Sequence, residues 1–328
     1  MRTHITTVIG CKNLCAYCPQ GELLKAYLRA DPEAKHRLMT MAMFRTIERK
    51  LPKKNIIFFC GMSEPFQNPK CTDMILYAYK KGRKIIIFTT LMGLSVSNLK
   101  RLFSIIPATD RNVKYVIHLP SKKKLERIVI NKSYLNVLSK VIHSNRDVYF
   151  HYHGEKLHPL INKLMINSPH FPEFHPPYYR GEPLFPADII RPARKRGRIK
   201  CRCWAFVILP NGSVILCAND YKLKNVLGNI STSSYKDILN SDVIKRIYRS
   251  WKNERMEEEC RYCYDAGDAN SVAQYYNSPF TLAKIPMGLK IYLYNHHQKI
   301  FNKSRLLWRF ITHNKKPLAN CDAALKCS

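Results

Sequence analysis

Cys11, Cys15 and Cys18 fall within eight residues, in the spacing Cys-x3-Cys-x2-Cys, directly behind a run at 3–10 that reads as a β-strand. Three soft donors at that spacing tie a loop to a metal centre. A closed structural site would want four ligands, and the loop holds no fourth Cys or His. A [4Fe–4S] cluster has four irons, so three thiolates leave one iron open to something other than protein. The spacing therefore points to a reactive cluster; a zinc loop or a ferredoxin-type loop is the plain alternative.

Downstream, strand-like apolar runs alternate with helical ones. Residues 56–59, 84–88, 113–118 and 147–153 read as strands. Residues 70–81 read as a helix stopped by Gly82, residues 95–105 as a helix with Pro107 beyond its end, and a further helix is expected from about Ser121. Continuous apolar strands spaced by helices mean parallel β and βα units.

Tyr17 stands directly before the third Cys, and the strand at 56–60 runs into Gly61-Met62-Ser63-Glu64-Pro65. With these features the chain resembles the radical S-adenosylmethionine (SAM) family, whose pattern is Cys-x3-Cys-x-aromatic-Cys after the first barrel strand. The resemblance implies an α/β fold, a partial (β/α)6 barrel. It implies an open iron that chelates SAM, and reductive cleavage to a 5′-deoxyadenosyl radical that abstracts a substrate hydrogen. The family's Gly-Gly-Glu stretch holds the amino group of SAM, largely through backbone. Gly61, Glu64 and Pro65 match it, while Ser63 replaces the inner Gly. Thr89-Thr90 and Gly93 correspond in part to a Thr-Asn-Gly stretch, which makes Thr90 a candidate SAM contact. Tyr17, Gly61, Ser63, Glu64 and Thr90 are thus the candidate cofactor-binding residues.

A second cysteine set follows: Cys201-x10-Gly212-x4-Cys217, then Cys260-x2-Cys263. Asn211-Gly212 between apolar runs is a hairpin turn, which would bring Cys201 and Cys217 together at its flanks. Four cysteines would also suit a zinc ribbon. The pattern resembles the SPASM extension of radical SAM enzymes. Further cysteines of the full SPASM pattern are missing, as in the shorter Twitch variant with one auxiliary [4Fe–4S] cluster. Cys201 fits the spacing better than Cys203. The resemblance spans about residues 1–265 and implies two [4Fe–4S] clusters, SAM as cofactor, and a reductase, flavodoxin or ferredoxin as electron donor.

His151 and His153 alternate with Tyr152 and so share one face of a strand; His118 ends the strand before. If that face looks inward, three imidazoles approach the barrel centre, where they could bind an anionic substrate or move protons near neutral pH. Hydrogen-bonded or solvated rim histidines are the alternative. Arg180, in the Pro-rich stretch, and Asp220, just after Cys217, are further candidate catalytic or substrate-contacting residues by the same resemblance.

The charge is one-sided: 55 Lys and Arg against 23 Asp and Glu, a formal +32. That balance points to an anionic partner, whether phosphorylated substrate, nucleic acid or membrane surface, or to a solvated basic face. Basic residues crowd 191–202, and the stretch 269–320 holds no carboxylate and interleaves cations with aromatic residues. Such a tail suits peripheral contact with an anionic membrane, RNA binding, or a helix packed on the barrel. No apolar run approaches the ~18 residues of a membrane span. The 12 Cys, mostly in cluster patterns, fit reduced thiols in the cytoplasm rather than a disulfide framework.

The expected organisation is a barrel at 1–175, a Pro/Arg-rich connector at 176–200, a Cys-rich β-hairpin/helix auxiliary domain at 201–265 and a basic helical tail at 266–328. The expected activity is a net oxidation, with the auxiliary cluster accepting an electron. With no peptide-binding domain ahead of the first strand, the substrate is expected to be small or carbohydrate-type, phosphorylated or lipid-linked. Maturation of a ribosomally made peptide, RNA modification or binding, and non-catalytic metal binding are the other readings.

Overall fold

The computed structural model describes residues 2–32, 36–166, 168–175, 194–197, 199–201, 205–252, 257–263 and 266–268. In chain order the first half comprises β1 (Arg2–Ile5), α1 (Gln20–Ala30), α2 (Met41–Lys50), β2 (Ile56–Phe59), α3 (Cys71–Lys80), β3 (Ile85–Thr89), α4 (Val96–Ile105), β4 (Val113–Leu119), α5 (Lys132–Ile142), β5 (Val148–Tyr152), α6 (Pro159–Ile166) and β6 (Glu173–Phe174). Strands β1 to β6 lie side by side in that order, all parallel. The alternating runs are thus parallel βα units, arranged as the partial (β/α)6 barrel that the family resemblance implies.

Strand alternation divides the sheet into two faces. Ile57, Phe59, Ile85, Ile87, Ile117 and Phe150 join Phe44, Ile47, Met74, Leu99, Leu102 and Leu138 from the helices in one apolar core. The opposite face carries rings that touch in sequence across the strands. His4 meets Phe58, Phe58 meets Phe88, Phe88 meets His118 and His118 meets His151, at centroid separations of 4.9, 6.1, 6.2 and 5.9 Å.

Local signals set the helix ends. Thr40, Ser95 and Asn131 cap α2, α4 and α5 by accepting from Met43, Asn98 and Tyr134 N–H. Gly82, in the left-handed region at φ +73°, follows α3. The helix expected from about Ser121 begins at Lys132 instead. Lys124 sits at φ +52°, a conformation that interrupts a helix, and Ser121 bonds to Glu126 through both its N–H and its hydroxyl. The first strand also ends sooner than expected, at Ile5.

The second half holds β7 (Ile199–Cys201), β8 (Phe206–Ile208), β9 (Ser213–Ile215), β10 (Val226–Asn229), α7 (Tyr235–Leu239), α8 (Asp242–Lys252), α9 (Glu258–Arg261) and β11 (Ala266–Asp268). β8 and β9 form the hairpin expected at Asn211-Gly212, with Gly212 at φ +84°. The hairpin is joined to the barrel: β8 pairs parallel with β1, Thr3 opposite Phe206 and Ile5 opposite Ile208. One nine-stranded sheet results, in the order β10-β9-β8-β1-β2-β3-β4-β5-β6. Lys50 fastens the same junction by donating to the carbonyls of Ile230, Ser231 and Ser233 at 2.7–3.0 Å. β7 and β11 pair separately, with Cys201 opposite Ala266.

Among the described residues no helix is long and apolar enough to cross a membrane. Arg180, Cys203, most of the connector and the basic tail from residue 269 lie outside the described residues.

Candidate cluster and substrate site

Cys11, Cys15 and Cys18 lie on the loop between β1 and α1, held by polar side chains from the next three βα loops. Cys11 N–H donates to Gln20 Oε1 at 3.3 Å, and Lys12 N–H to Gln67 Oε1 at 2.8 Å. Asn13 receives Gln67 Nε2 at 2.9 Å and donates to Thr90 Oγ1 at 2.8 Å. Ala16 N–H donates to Leu125 O, and Arg127 N–H to Asn13 O. Asn13, Gln20 and Gln67 could not have been found from the sequence, because no spacing marks a side chain that meets a distant loop.

The sulfurs accept hydrogen bonds from protein. Glu64 N–H points at Cys11 Sγ at 3.4 Å, and Gln20 Nε2 donates to Cys18 Sγ at 3.3 Å. Tyr221 Oη lies 3.4 Å from Cys18 Sγ. Burial, with smaller contributions from neighbouring thiols, pushes Cys11 up to about 11 and raises Cys15 further. Such thiols ionise when a cation compensates the lost hydration. Donors aimed at sulfur and three mutually interacting thiols fit an iron–sulfur cluster.

The Gly61–Pro65 loop abuts this triplet. Gly61 stands at φ +79°, where a Cβ would meet Thr6 Oγ1 at 2.3 Å, so glycine is required twice over. Ser63 Oγ is buried and has no hydrogen-bond partner among the described residues. An orphaned hydroxyl two residues from Gly61 fits a loop that awaits a polar ligand such as SAM.

Glu64, a candidate cofactor contact, has its carboxylate engaged within the protein. Its carboxylate accepts from Phe66 N–H (3.2 Å), Thr89 Oγ1 (2.5 Å), Thr90 N–H (2.6 Å) and Thr90 Oγ1 (2.7 Å). Burial pushes the carboxyl up while these four bonds pull it down. Thr90 Oγ1 also accepts from Asn13, so both side chains are engaged within the protein. They brace the β2 and β3 loops against the cysteine loop. Tyr17 likewise packs inward, donating to Glu126 Oε1 at 3.2 Å with its ring 4.7 Å from that of His153.

The second set is also assembled. Cys201 ends β7, Cys217 follows β9, Cys260 lies on α9 and Cys263 three residues later, before β11. Burial, with the neighbouring thiols adding, drives Cys217 well above its ordinary range and Cys260 up to about 12. Asn219 N–H donates to Cys217 Sγ at 3.3 Å, and Asn219 Nδ2 reaches Cys263 Sγ at 3.7 Å. Four clustered thiols with amide donors fit an iron–sulfur centre. Asp220 closes the adjoining turn by accepting from Lys224 and Asn225 N–H at 3.0 and 2.8 Å.

His118, His151 and His153 come together on the ring-lined face. The His118 ring is 5.9 Å from that of His151 and 5.3 Å from that of His153. That face is opposite the helix-packed core, and Tyr17 links His153 to the cysteine loop. The short strand β6 adds Glu173 and, just beyond it, His175, which the Pro-rich surroundings concealed; the alternation Glu173-Phe174-His175 was the available signal.

Residues 201–264 match the family model of the SPASM iron–sulfur cluster-binding domain. The chain thus carries a SPASM-type iron–sulfur cluster-binding segment. Its fold is that of BtrN in complex with AdoMet and 2-DOIA, at 17% identity and a TM-score of 0.50, covering 82% of this chain and 93% of that one. It is also that of anSMEcpe with bound AdoMet and Kp18Cys peptide, at 13% identity and a TM-score of 0.52, covering 80% and 86%. No curated protein sequence matches the chain. An iron–sulfur cluster is the cofactor that the matched segment implies.

Proposed function

We propose that this chain is a radical SAM enzyme that oxidises a small, hydroxyl-bearing substrate by two electrons. Cys11, Cys15 and Cys18 would hold the SAM cluster, and Cys201, Cys217, Cys260 and Cys263 a single auxiliary cluster. When bound, the clusters and SAM supply one-electron chemistry: cleavage of SAM, abstraction of a substrate hydrogen and acceptance of a second electron. The chain's own residues then have three tasks. Ser63 and the Gly61 backbone orient SAM. The rings of His4, Phe58 and Phe88 fill the barrel floor and exclude water. His118, His151 and His153 line the substrate, and His118 and His153 accept the proton that leaves its hydroxyl.

The observation that carries this reading is the contact between Tyr221, four residues past Cys217, and Cys18 Sγ. It supports an auxiliary centre close enough to the first cluster to take an electron from the same substrate. The filled floor supports a small substrate over a long one. The anSMEcpe structure, with its bound peptide, supports a second reading in which a peptide side chain is oxidised.

The test is substrate-stimulated formation of 5′-deoxyadenosine by anaerobically reconstituted, reduced protein, with polyols, aminocyclitols and short peptides run in parallel. A polyol or aminocyclitol should stimulate formation and be recovered two hydrogens lighter. The double variant Cys260→Ala/Cys263→Ala should still cleave SAM but release no oxidised product. Stimulation by peptides alone would overturn the small-substrate reading.

A further inference from the structure

We infer that the end of β5 and β6 is a divalent transition-metal site built from His151, Glu173 and His175. It is separate from both cysteine sets, and it can be tested whether or not the proposed oxidation is correct. One ligand atom from each of the three side chains lies within 4.8 Å of the other two. The topology brings them together: His151 and Glu173 are register partners across β5 and β6, so both project to one face, and His175 lies two residues further along on that face.

The details favour an ion over a plain hydrogen-bonded cluster. His175 Nε2 is buried with no hydrogen-bond partner among the described residues, yet it stands 3.6 Å from Glu173 Oε2. That gap is too long for a hydrogen bond. It is close to the ~3.4 Å that separates two ligands on a tetrahedral ion with bonds of about 2.0–2.1 Å. The His151 and His175 ring centroids lie 4.3 Å apart, so the two imidazoles are neighbours. The backbone around them is pinned: His175 N–H donates to Tyr152 O at 2.9 Å, and His153 Nδ1 meets His175 O at 2.9 Å. His118 packs behind His151. Buried His151 combined with half-exposed Glu173 and His175 gives a held site with a path for an ion to enter.

Two imidazoles and one carboxylate suit zinc, cobalt, iron or nickel rather than calcium or magnesium, and three protein ligands leave coordination positions open. An ion there would lie on the ring-lined face beside His118 and His153, where an oxygen of a bound molecule can complete its coordination.

The experiment uses the full-length holoprotein with its clusters in place, so that the cluster thiolates are occupied. It is stripped with a chelating resin, given equimolar Zn(II) or Co(II) anaerobically, desalted and assayed for metal. Wild type should retain about one added ion per chain, and His175→Ala and Glu173→Gln should each lower retention at least about ten-fold with iron content unchanged. Bound Co(II) should show weak visible bands without an intense sulfur-to-metal charge-transfer band. Both variants alter half-exposed side chains, and unchanged iron certifies their folding. No retention by wild type, equal retention by both variants, or a sulfur charge-transfer band would overturn the proposal.

Discussion

Replacing Glu64 should separate a bracing role from a ligand role. Its carboxylate accepts four hydrogen bonds, two from hydroxyls that can rotate and two from the N–H groups of Phe66 and Thr90, which cannot. Glu64→Ala strands both N–H groups. At about 1–3 kcal/mol for each unsatisfied buried donor, the cost is about 2–6 kcal/mol before any cavity. Glu64→Gln keeps the shape but presents an NH2 to one of the two sides. One backbone N–H is lost whichever way the amide is placed, while the threonine hydroxyls turn to accept, so the cost is about 1–3 kcal/mol. At roughly 2–4 °C per kcal/mol, the thermal midpoint should fall by roughly 2–12 °C for Gln and 4–24 °C for Ala, with Ala always the larger. The assay is thermal unfolding of anaerobic protein matched for iron content, alongside SAM affinity. A midpoint for Glu64→Ala within about 1 °C of wild type would refute the reasoning. So would a Gln variant of wild-type stability that has lost SAM binding, since that marks the carboxylate as a direct ligand.

Three further outcomes are expected. Reconstituted wild type should carry about eight irons and the Cys11, Cys15, Cys18 triple alanine variant about four, whereas stoichiometric zinc with only four irons would remove the auxiliary cluster from the account. Ser63→Gly should keep SAM cleavage but weaken SAM affinity by about 2–12-fold, the worth of one ordinary hydrogen bond; unchanged affinity would mean that the orphaned hydroxyl meets no ligand. Tyr221→Phe removes a donor near Cys18 Sγ, and a bond about 1 kcal/mol stronger to the reduced cluster is worth about 40 mV. The potential of the SAM cluster should therefore fall in an electrochemical titration followed by electron paramagnetic resonance, and an unmoved potential would show that the hydroxyl does not act on the cluster.

The sequence was most legible where the physics is local. The apolar runs of β2 to β5, the stop at Gly82 and the Asn211-Gly212 hairpin each depend on a few adjacent residues, and all stand where the pattern put them. Both cysteine sets were visible as patterns because spacing is itself a local feature, and the structure brings the members of each set together. The helix expected at Ser121 failed on a local detail, the left-handed Lys124, while Asn131, the true cap, lay ten residues further on. What stayed hidden depends on distant chain segments. The parallel pairing of β8 with β1 makes the auxiliary hairpin an extension of the barrel sheet, and nothing in either strand announces its partner. The same holds for the bonding of Glu64 to Thr89 and Thr90, and for the meeting of Tyr221 with Cys18. Glu173 and His175 were missed because a two-residue strand carries too little periodicity to see.

The most direct test of the central claim is the cleavage of SAM by reduced, fully reconstituted protein in the absence of any substrate. The account predicts slow release of 5′-deoxyadenosine and methionine in equal amounts from wild type and from Cys203→Ala, and none from Cys15→Ala. Cleavage that survives in Cys15→Ala, or its absence from wild-type protein carrying both clusters, would contradict it.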